Sequence, residues 1–164
     1  MKKVTIFLGS ESDLEVIEDA VGILKDFGVS FGLEVTSAHR SPQRTLRLIN
    51  EAEEAGTEVF IAVAGKAAHL AGVVAAHTLR PVIGVPVESA ALGGMDALFS
   101  TVQMPKGIPV ATMALGKHGG SNAALLAIEI LALRDELLLQ RLANYRAAMA
   151  AKVEAASKKL QEKV

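Results

Sequence analysis

The stretch Lys3-Val4-Thr5-Ile6-Phe7-Leu8-Gly9-Ser10-Glu11-Ser12-Asp13-Leu14-Glu15 decides the fold class. Val4 to Leu8 is a short apolar run broken only by Thr5, the pattern of a strand covered on both faces. Gly9-Ser10 ends the run. Ser12-Asp13-Leu14-Glu15 then has the Ser-x-x-Glu spacing of a capping box. Leu14, Ile17, Val21 and Leu24 share one helical face, and Gly28 marks the helix end. Strand, tight turn and helix in that order form the first half of a βαβ unit. Met1-Lys2-Lys3 before an apolar run imitates a secretory signal, but the run stops short of the roughly 7–15 residues such a segment needs. The expectation is a buried first strand in a cytoplasmic protein.

The same alternation continues outward. Strands are expected at Lys3–Leu8, Phe31–Thr36, Glu58–Val63, Val82–Val85 and Pro109–Met113, separated by amphipathic segments, so the chain reads as α/β with a parallel sheet. Ser41-Pro42 is an N-cap followed by proline at the first helical position, opening a helix that closes at Gly56. Further helices are expected at Ala68–Leu79, Met95–Val102 and Asn122–Leu133. From Asp135 to Lys163, the residues Leu138, Leu142, Tyr145, Met149, Val153, Ala156 and Leu160 recur at steps of three and four. Such a stripe seals the chain's own core or packs on another subunit, and the residues leave both readings open. No linker or repeat divides the chain, which reads as a single domain over 1–164, with its core at 3–133 and a helical extension at 135–163.

Composition narrows the class. The 164 residues carry 17 Lys and Arg against 18 Asp and Glu, a formal charge of −1. That balance, without basic runs, argues against nucleic acid or an anionic membrane surface as partner. No apolar stretch reaches the about 20 residues a bilayer span requires. The absence of cysteine removes disulfides, thiolate metal sites and cysteine nucleophiles. Hydrophobic residues make up 51% of the chain but aromatic ones only 4%. This aliphatic excess is large for the interior of one small domain and points to contacts between subunits.

In open parallel sheets ligands bind beyond the carboxyl ends of the strands, so the loops there are where chemistry is sought. They read Gly9–Asp13, Ser37–Arg40, Ala64–His69, Pro86–Ser89 and Gly116–Asn122. Together they collect small residues, hydroxyls, three of the four histidines and the cations Arg40, Lys66 and Lys117, a receptacle for a compact anionic ligand. Gly9-Ser10 suits a phosphate cradle or an ordinary turn capped by Ser12. Asp13 suits sugar hydroxyls or the positive end of a helix dipole. His39 has the chemistry of a proton shuttle, because imidazoles titrate near neutral pH. His69 is either a ligand contact or a helix-start residue, His77 is structural, and His118 sits in a glycine-rich loop. No histidine pair has zinc-motif spacing, and neither a nucleophile elbow nor a Walker loop is present.

Read together and in order, Gly9–Asp13, Ser37–Pro42, Ala64–Leu70, Pro81–Val87 and Gln103–Val110, joined by Asn122–Leu126, resemble the PurE family. These are the N5-carboxyaminoimidazole ribonucleotide mutases of purine synthesis, and the likeness, to the class I type, runs from Val4 to Leu133. The resemblance implies a three-layer α/β/α sandwich of flavodoxin-like or Rossmann-like type, with about five parallel strands and a long C-terminal helix. It also implies a nucleotide substrate, no cofactor, no metal, a homo-octamer and a cytoplasmic location. It assigns His39 as the catalytic residue and Ser10, Ser12, Asp13 and Arg40 to ribose and phosphate. It adds Ser37, Ala38, Gly65, Lys66, His69 and Leu70 as substrate contacts, with His69 and its small neighbours at the carbon dioxide end. The chain departs from the bacterial pattern at Lys66 (usually Gly), at Ala71 (usually Pro) and at His118. Lys66 keeps open a related reading, direct carboxylation of aminoimidazole ribonucleotide by free carbon dioxide. A flavodoxin-like binding module would need aromatic rings to stack on flavin, and a phospho-receiver would need an acid where Ala62-Val63-Ala64 stands.

Overall fold

The computed structural model describes residues 1–163, which divide into two compact units, Met1–Ile128 and a second beginning at Glu129. The first unit contains strands β1 (Val4–Leu8), β2 (Phe31–Val35), β3 (Val59–Gly65), β4 (Val82–Val87) and β5 (Ala111–Thr112). They form one sheet in the order β2-β1-β3-β4-β5, every pair parallel. The helices between them are α1 (Glu18–Asp26), α2 (Pro42–Glu54), α3 (Leu70–Ala76) and α4 (Met95–Val102). α5 (Gly116–Ala132) follows β5, and α6 (Glu136–Gln161) belongs to the second unit.

This strand order makes a doubly wound α/β fold. From β1 the chain first steps outward to β2, then returns past β1 and continues in the other direction. Because parallel crossovers are right-handed, that reversal moves the later helices to the opposite face. On one face Phe7, Phe60, Ala62 and Val82 pack with Leu48 and Ile49 of α2 and with Leu70, Ala71 and Val74 of α3. The Phe7 and Phe60 rings stack there with centroids 5.6 Å apart. The intervening residues Val4, Ile6, Leu8, Ile61, Val63 and Ile83 point to the other face and are equally buried. Both faces are therefore covered, and each large side chain contributes about 1.5–3 kcal/mol of burial.

Most expected elements are present, including α4 with its predicted bounds and α2 with Ser41 as N-cap and Pro42 in its first turn. The helix after β1 differs. It begins as a 3₁₀ helix over Glu11–Ile17, and Ser10 rather than Ser12 is its N-cap. The short Asp13 side chain reaches back to the Ser10 N–H at 3.0 Å, so the closing acid is Asp13 rather than Glu15. The 3₁₀ winding also shifts the apolar stripe. Ile17 and Leu24 are buried, whereas Leu14 lies in solvent.

The second correction concerns Gly116–Asn122, expected as a loop but forming the opening turns of α5. Each glycine disfavours helix by about 1 kcal/mol, yet packing demands Gly120. A Cβ there would lie 2.3 Å from the Val16 carbonyl oxygen.

Within the second unit, the Asp135 carboxylate caps α6 by accepting from the Leu138 N–H at 3.0 Å. Arg146 pairs with Glu129. Of the apolar stripe, Leu138 and Leu142 are buried and Tyr145 is half-buried, while Met149, Val153, Ala156 and Leu160 are exposed. No helix among the described residues is long and apolar enough to cross a membrane.

Candidate functional site

The strand order places the loops after β2, β1, β3 and β4 side by side, and a cavity of about 680 Å³ opens among them. Its size falls within the range usual for small-molecule sites. From the first loop it takes Ser10, Ser12 and Asp13, and from the second Ser37, Ala38, His39 and Arg40. The third contributes Gly65, Lys66, His69 and Leu70. Every residue that the family resemblance assigned to the site thus lines one cavity. His118 and Lys117 do not. Lys117 instead pairs with Glu15 at 2.9 Å, and that hydrogen bond, followed by the charge of Glu15, raises the pKa of its ammonium. His77 lies beyond the end of α3, its Nδ1 at 2.8 Å from the Val73 carbonyl oxygen, in the structural role expected of it.

The second loop is built by a small circuit of hydroxyls. The Ser37 N–H donates to Ser41 Oγ at 3.1 Å, the Ser41 hydroxyl donates to the Ser37 carbonyl at 3.2 Å, and the Arg40 N–H donates to Ser37 Oγ at 3.1 Å. Ser37 therefore braces the turn, and the turn exposes His39 and Arg40 to the cavity.

The third loop turns sharply where β3 ends. Lys66 has φ +56°, the one non-glycine residue at positive φ among those described. For an L-residue this left-handed conformation costs about 1 kcal/mol or more. The chain then coils tightly, with the Ala68 N–H on the Lys66 carbonyl at 2.9 Å and the His69 N–H on the Ala67 carbonyl at 2.8 Å. His69 becomes the N-cap residue of α3, the helix-start position weighed for it, and it also lines the cavity.

His39 Nε2 and His69 Nδ1 are 2.7 Å apart, with the rings crossed at 83°. In the neutral pair one nitrogen donates and the other accepts, so the two tautomers are linked. The geometry gives two imidazoles that share a hydrogen and open onto the same space.

Around them the charge is mixed. Among the described residues the Arg40 guanidinium and Lys66 ammonium have no ion-pair partner. Burial pushes the Asp13 carboxyl above the usual carboxylate range, and the Ser10 N–H partly opposes that shift. A buried acid is therefore held close to two hydroxyls, since Ser12 Oγ donates to Ser10 Oγ at 3.0 Å. No group of three or more His, Asp or Glu side chains among the described residues is arranged to hold a metal ion.

The cavity also includes Glu88 and Ser89 from the loop after β4, a loop expected at this edge but whose residues were given no role. The sheet register supplies their place: Gly65 pairs with Val87, so Glu88 leaves the sheet beside Lys66. Ser89 carries a second task, donating to Asp96 Oδ2 at 3.2 Å across the start of α4.

Comparison with known proteins agrees with this architecture. The model of the AIR carboxylase family matches residues 3–152. A protein of Methanocaldococcus jannaschii named N5-carboxyaminoimidazole ribonucleotide mutase is 52% identical over 159 residues, covering 97% of this chain and 98% of that one. Its counterpart from Escherichia coli K12, with the same name, is 53% identical over 146 residues, covering 89% and 86%. The crystal structure of Treponema denticola PurE superposes with a TM-score of 0.87 at 30% identity, covering 96% of this chain and 97% of that one. The family match spans nearly the whole chain, and the chain belongs to the AIR carboxylase, or PurE, family.

Proposed function

We propose that this protein is an N5-carboxyaminoimidazole ribonucleotide mutase, an isomerase that moves a carboxylate from the exocyclic N5 to ring carbon C4 in purine synthesis. The mutase names of relatives about half identical over most of the chain support this reading over direct carboxylation. The observation that carries the chemistry is the 2.7 Å contact between His39 and His69 at a cavity flanked by two unpaired cations.

In this reading His39 is the catalytic residue. Its imidazolium gives a proton to N5, the N–carboxyl bond breaks with its electron pair returning to nitrogen, and carbon dioxide is released in the cavity. The C4 carbon then attacks carbon dioxide, a C–C bond forms, and the C4 proton passes to His39. One proton is given and one is recovered, so the imidazole ends as it began. Keeping carbon dioxide beside the ring replaces a bimolecular encounter, which accounts for much of the rate. Ser10, Ser12, Asp13 and Arg40 hold the ribose and phosphate. Ser37 and Ala38 shape the wall beside His39, and Gly65, Lys66, His69 and Leu70 line the carboxylate end.

The whole chain acts as one catalytic domain with a helical extension at 135–163. It works in the cytoplasm as a homo-oligomer, an octamer. The exposed apolar residues Phe99, Met149, Val153 and Leu160 support assembly, since contacts between subunits would take this apolar surface out of water.

The decisive experiment offers the purified protein two substrates in parallel: the N5-carboxylated ribonucleotide, and aminoimidazole ribonucleotide with bicarbonate. Rapid conversion of the first to the C4-carboxylated product is expected. Saturation by the second at low bicarbonate would overturn the mutase reading in favour of the carboxylase.

A further inference from the structure

The left-handed backbone at Lys66 asks for a reason. The position turns the chain from β3 toward His69, a task glycine performs without strain. A lysine kept at φ +56° on the wall of the cavity points to work for its side chain. That ammonium has no ion-pair partner among the described residues.

The strand order says where such a charge acts. Arg40 follows β2 and Lys66 follows β3, with β1 between them. Adjacent strands lie about 4.8 Å apart, so the two loops start roughly 10 Å from each other. The hydroxyls of Ser10 and Ser12 and the Asp13 carboxyl stand in the middle. A ligand with two anionic ends and a polyhydroxyl centre fits that arrangement, one end on each cation. The end that reacts must lie within reach of the His39–His69 pair, and Lys66 begins the tight coil that delivers His69.

We infer that Lys66 is the residue that holds the migrating carboxylate, through a charge-assisted hydrogen bond from its ammonium. This inference rests on the mutase reading. Lys66 grips the N-bound carboxylate on arrival and the C-bound carboxylate after transfer. Between the two, the positive charge favours recapture of carbon dioxide at C4, where anionic charge re-forms, over escape. Glu88 leaves β4 beside it and is the natural rival for the same ammonium.

The test compares Lys66→Gly, Lys66→Met, Lys66→Arg and Glu88→Gln in turnover of the N5-carboxylated substrate. Aminoimidazole ribonucleotide released to solution is measured alongside. Lys66→Gly keeps the backbone turn and relieves its strain, so it folds at least as well as the parent and isolates the loss of charge. Lys66→Gly and Lys66→Met are expected to raise KM about tenfold, to change kcat less than threefold, and to increase several-fold the share of turnovers that lose carbon dioxide. Lys66→Arg restores both parameters toward the parent. If Lys66 serves only to pair with Glu88, Lys66→Met and Glu88→Gln lower the melting temperature together and leave KM and carbon dioxide loss unchanged. That result overturns the inference, as does a Lys66→Gly enzyme within twofold of the parent in both readouts. Failure of the parent itself to convert the N5-carboxylated substrate overturns the mutase reading, and the inference with it.

Discussion

His39 and His69 belong to loops thirty residues apart, yet His39 Nε2 meets His69 Nδ1 at 2.7 Å. The contact depends on two separate turns, the serine-braced one at Ser37–Ser41 and the left-handed one at Lys66. In that contact one ring nitrogen donates and the other accepts, so the orientation and tautomer of one imidazole fix those of the other.

Replacing His39 by Asn removes the proton carrier while leaving the fold intact, because the side chain is exposed and contributes nothing to the core. His39→Asn is expected to keep its circular dichroism spectrum and assembly state and to lose at least 10²-fold in kcat. Parent-like turnover would remove His39 from the mechanism.

Arg40→Ala should act on binding. Its guanidinium takes part in no ion pair among the described residues, so truncation leaves no buried charge behind. Loss of a charge-assisted contact of about 1.5–3 kcal/mol corresponds to a KM increase of roughly ten- to a hundredfold. Steady-state kinetics showing an unchanged KM would contradict that role.

Asp13 makes a prediction about pH. Burial raises its pKa in the folded protein, so the native state takes up its proton more readily than the unfolded chain. The associated stability is fully present below the unfolded value of 3.8 and is lost as pH rises through the higher folded value. At neutral pH the Asp13 carboxyl therefore contributes less to stability than it does in acid. Asp13→Asn, whose side-chain oxygen can still accept from the Ser10 N–H, should melt higher than the parent at pH 7. The gain should shrink toward zero as pH approaches 4. Thermal melts that show the same difference at both pH values would refute the account.

Gly84 sits in β4 beneath α4, where an added Cβ would stand 2.4 Å from Thr101 Cγ2 and 2.9 Å from Val110 Cγ1. Thr101 is buried and hydrogen-bonded to the Ala97 carbonyl, so it yields little. Gly84→Ala is expected to cost about 1–3 kcal/mol in urea denaturation. A loss below a few tenths would mean that α4 shifts freely.

The assembly prediction is tested by sedimentation. An oligomer is expected at micromolar concentration, and Val153→Glu together with Leu160→Glu on α6 should reduce its mass. A parent protein that sediments as a monomer would leave the exposed aliphatic residues without a partner.

Much of this was legible in the sequence because apolar runs and turn residues report backbone covering directly. The five strands and the bounds of α4 follow from that signal, and so does the meeting of Ser10, Asp13, His39, Arg40, Lys66 and His69 at one edge. The chemistry of the site was readable mainly through its ordered motifs, since a single loop histidine such as His39 carries little information alone. What escaped the reading depended on distant partners. Gly119 and Gly120 looked like a loop because intrinsic propensity disfavours them in a helix; the Val16 backbone across the fold explains Gly120, while a Cβ at Gly119 would meet the Ala114 backbone just before the helix. Ser12 looked like the cap because the 3₁₀ winding that promotes Ser10 has no local spelling. Glu88 was placed in the loop after the fourth strand but given no role, because its neighbour Lys66 is adjacent through sheet register, not through sequence.

The serine circuit around His39 has an energetic consequence of its own. All of its bonds join residues within four positions of each other, from Ser37 to Ser41. The turn that presents the imidazole and the guanidinium is thus set locally, independent of any ligand. Its conformational entropy is lost when the chain folds, so binding need not order it again, and the interactions made there can go into affinity and catalysis.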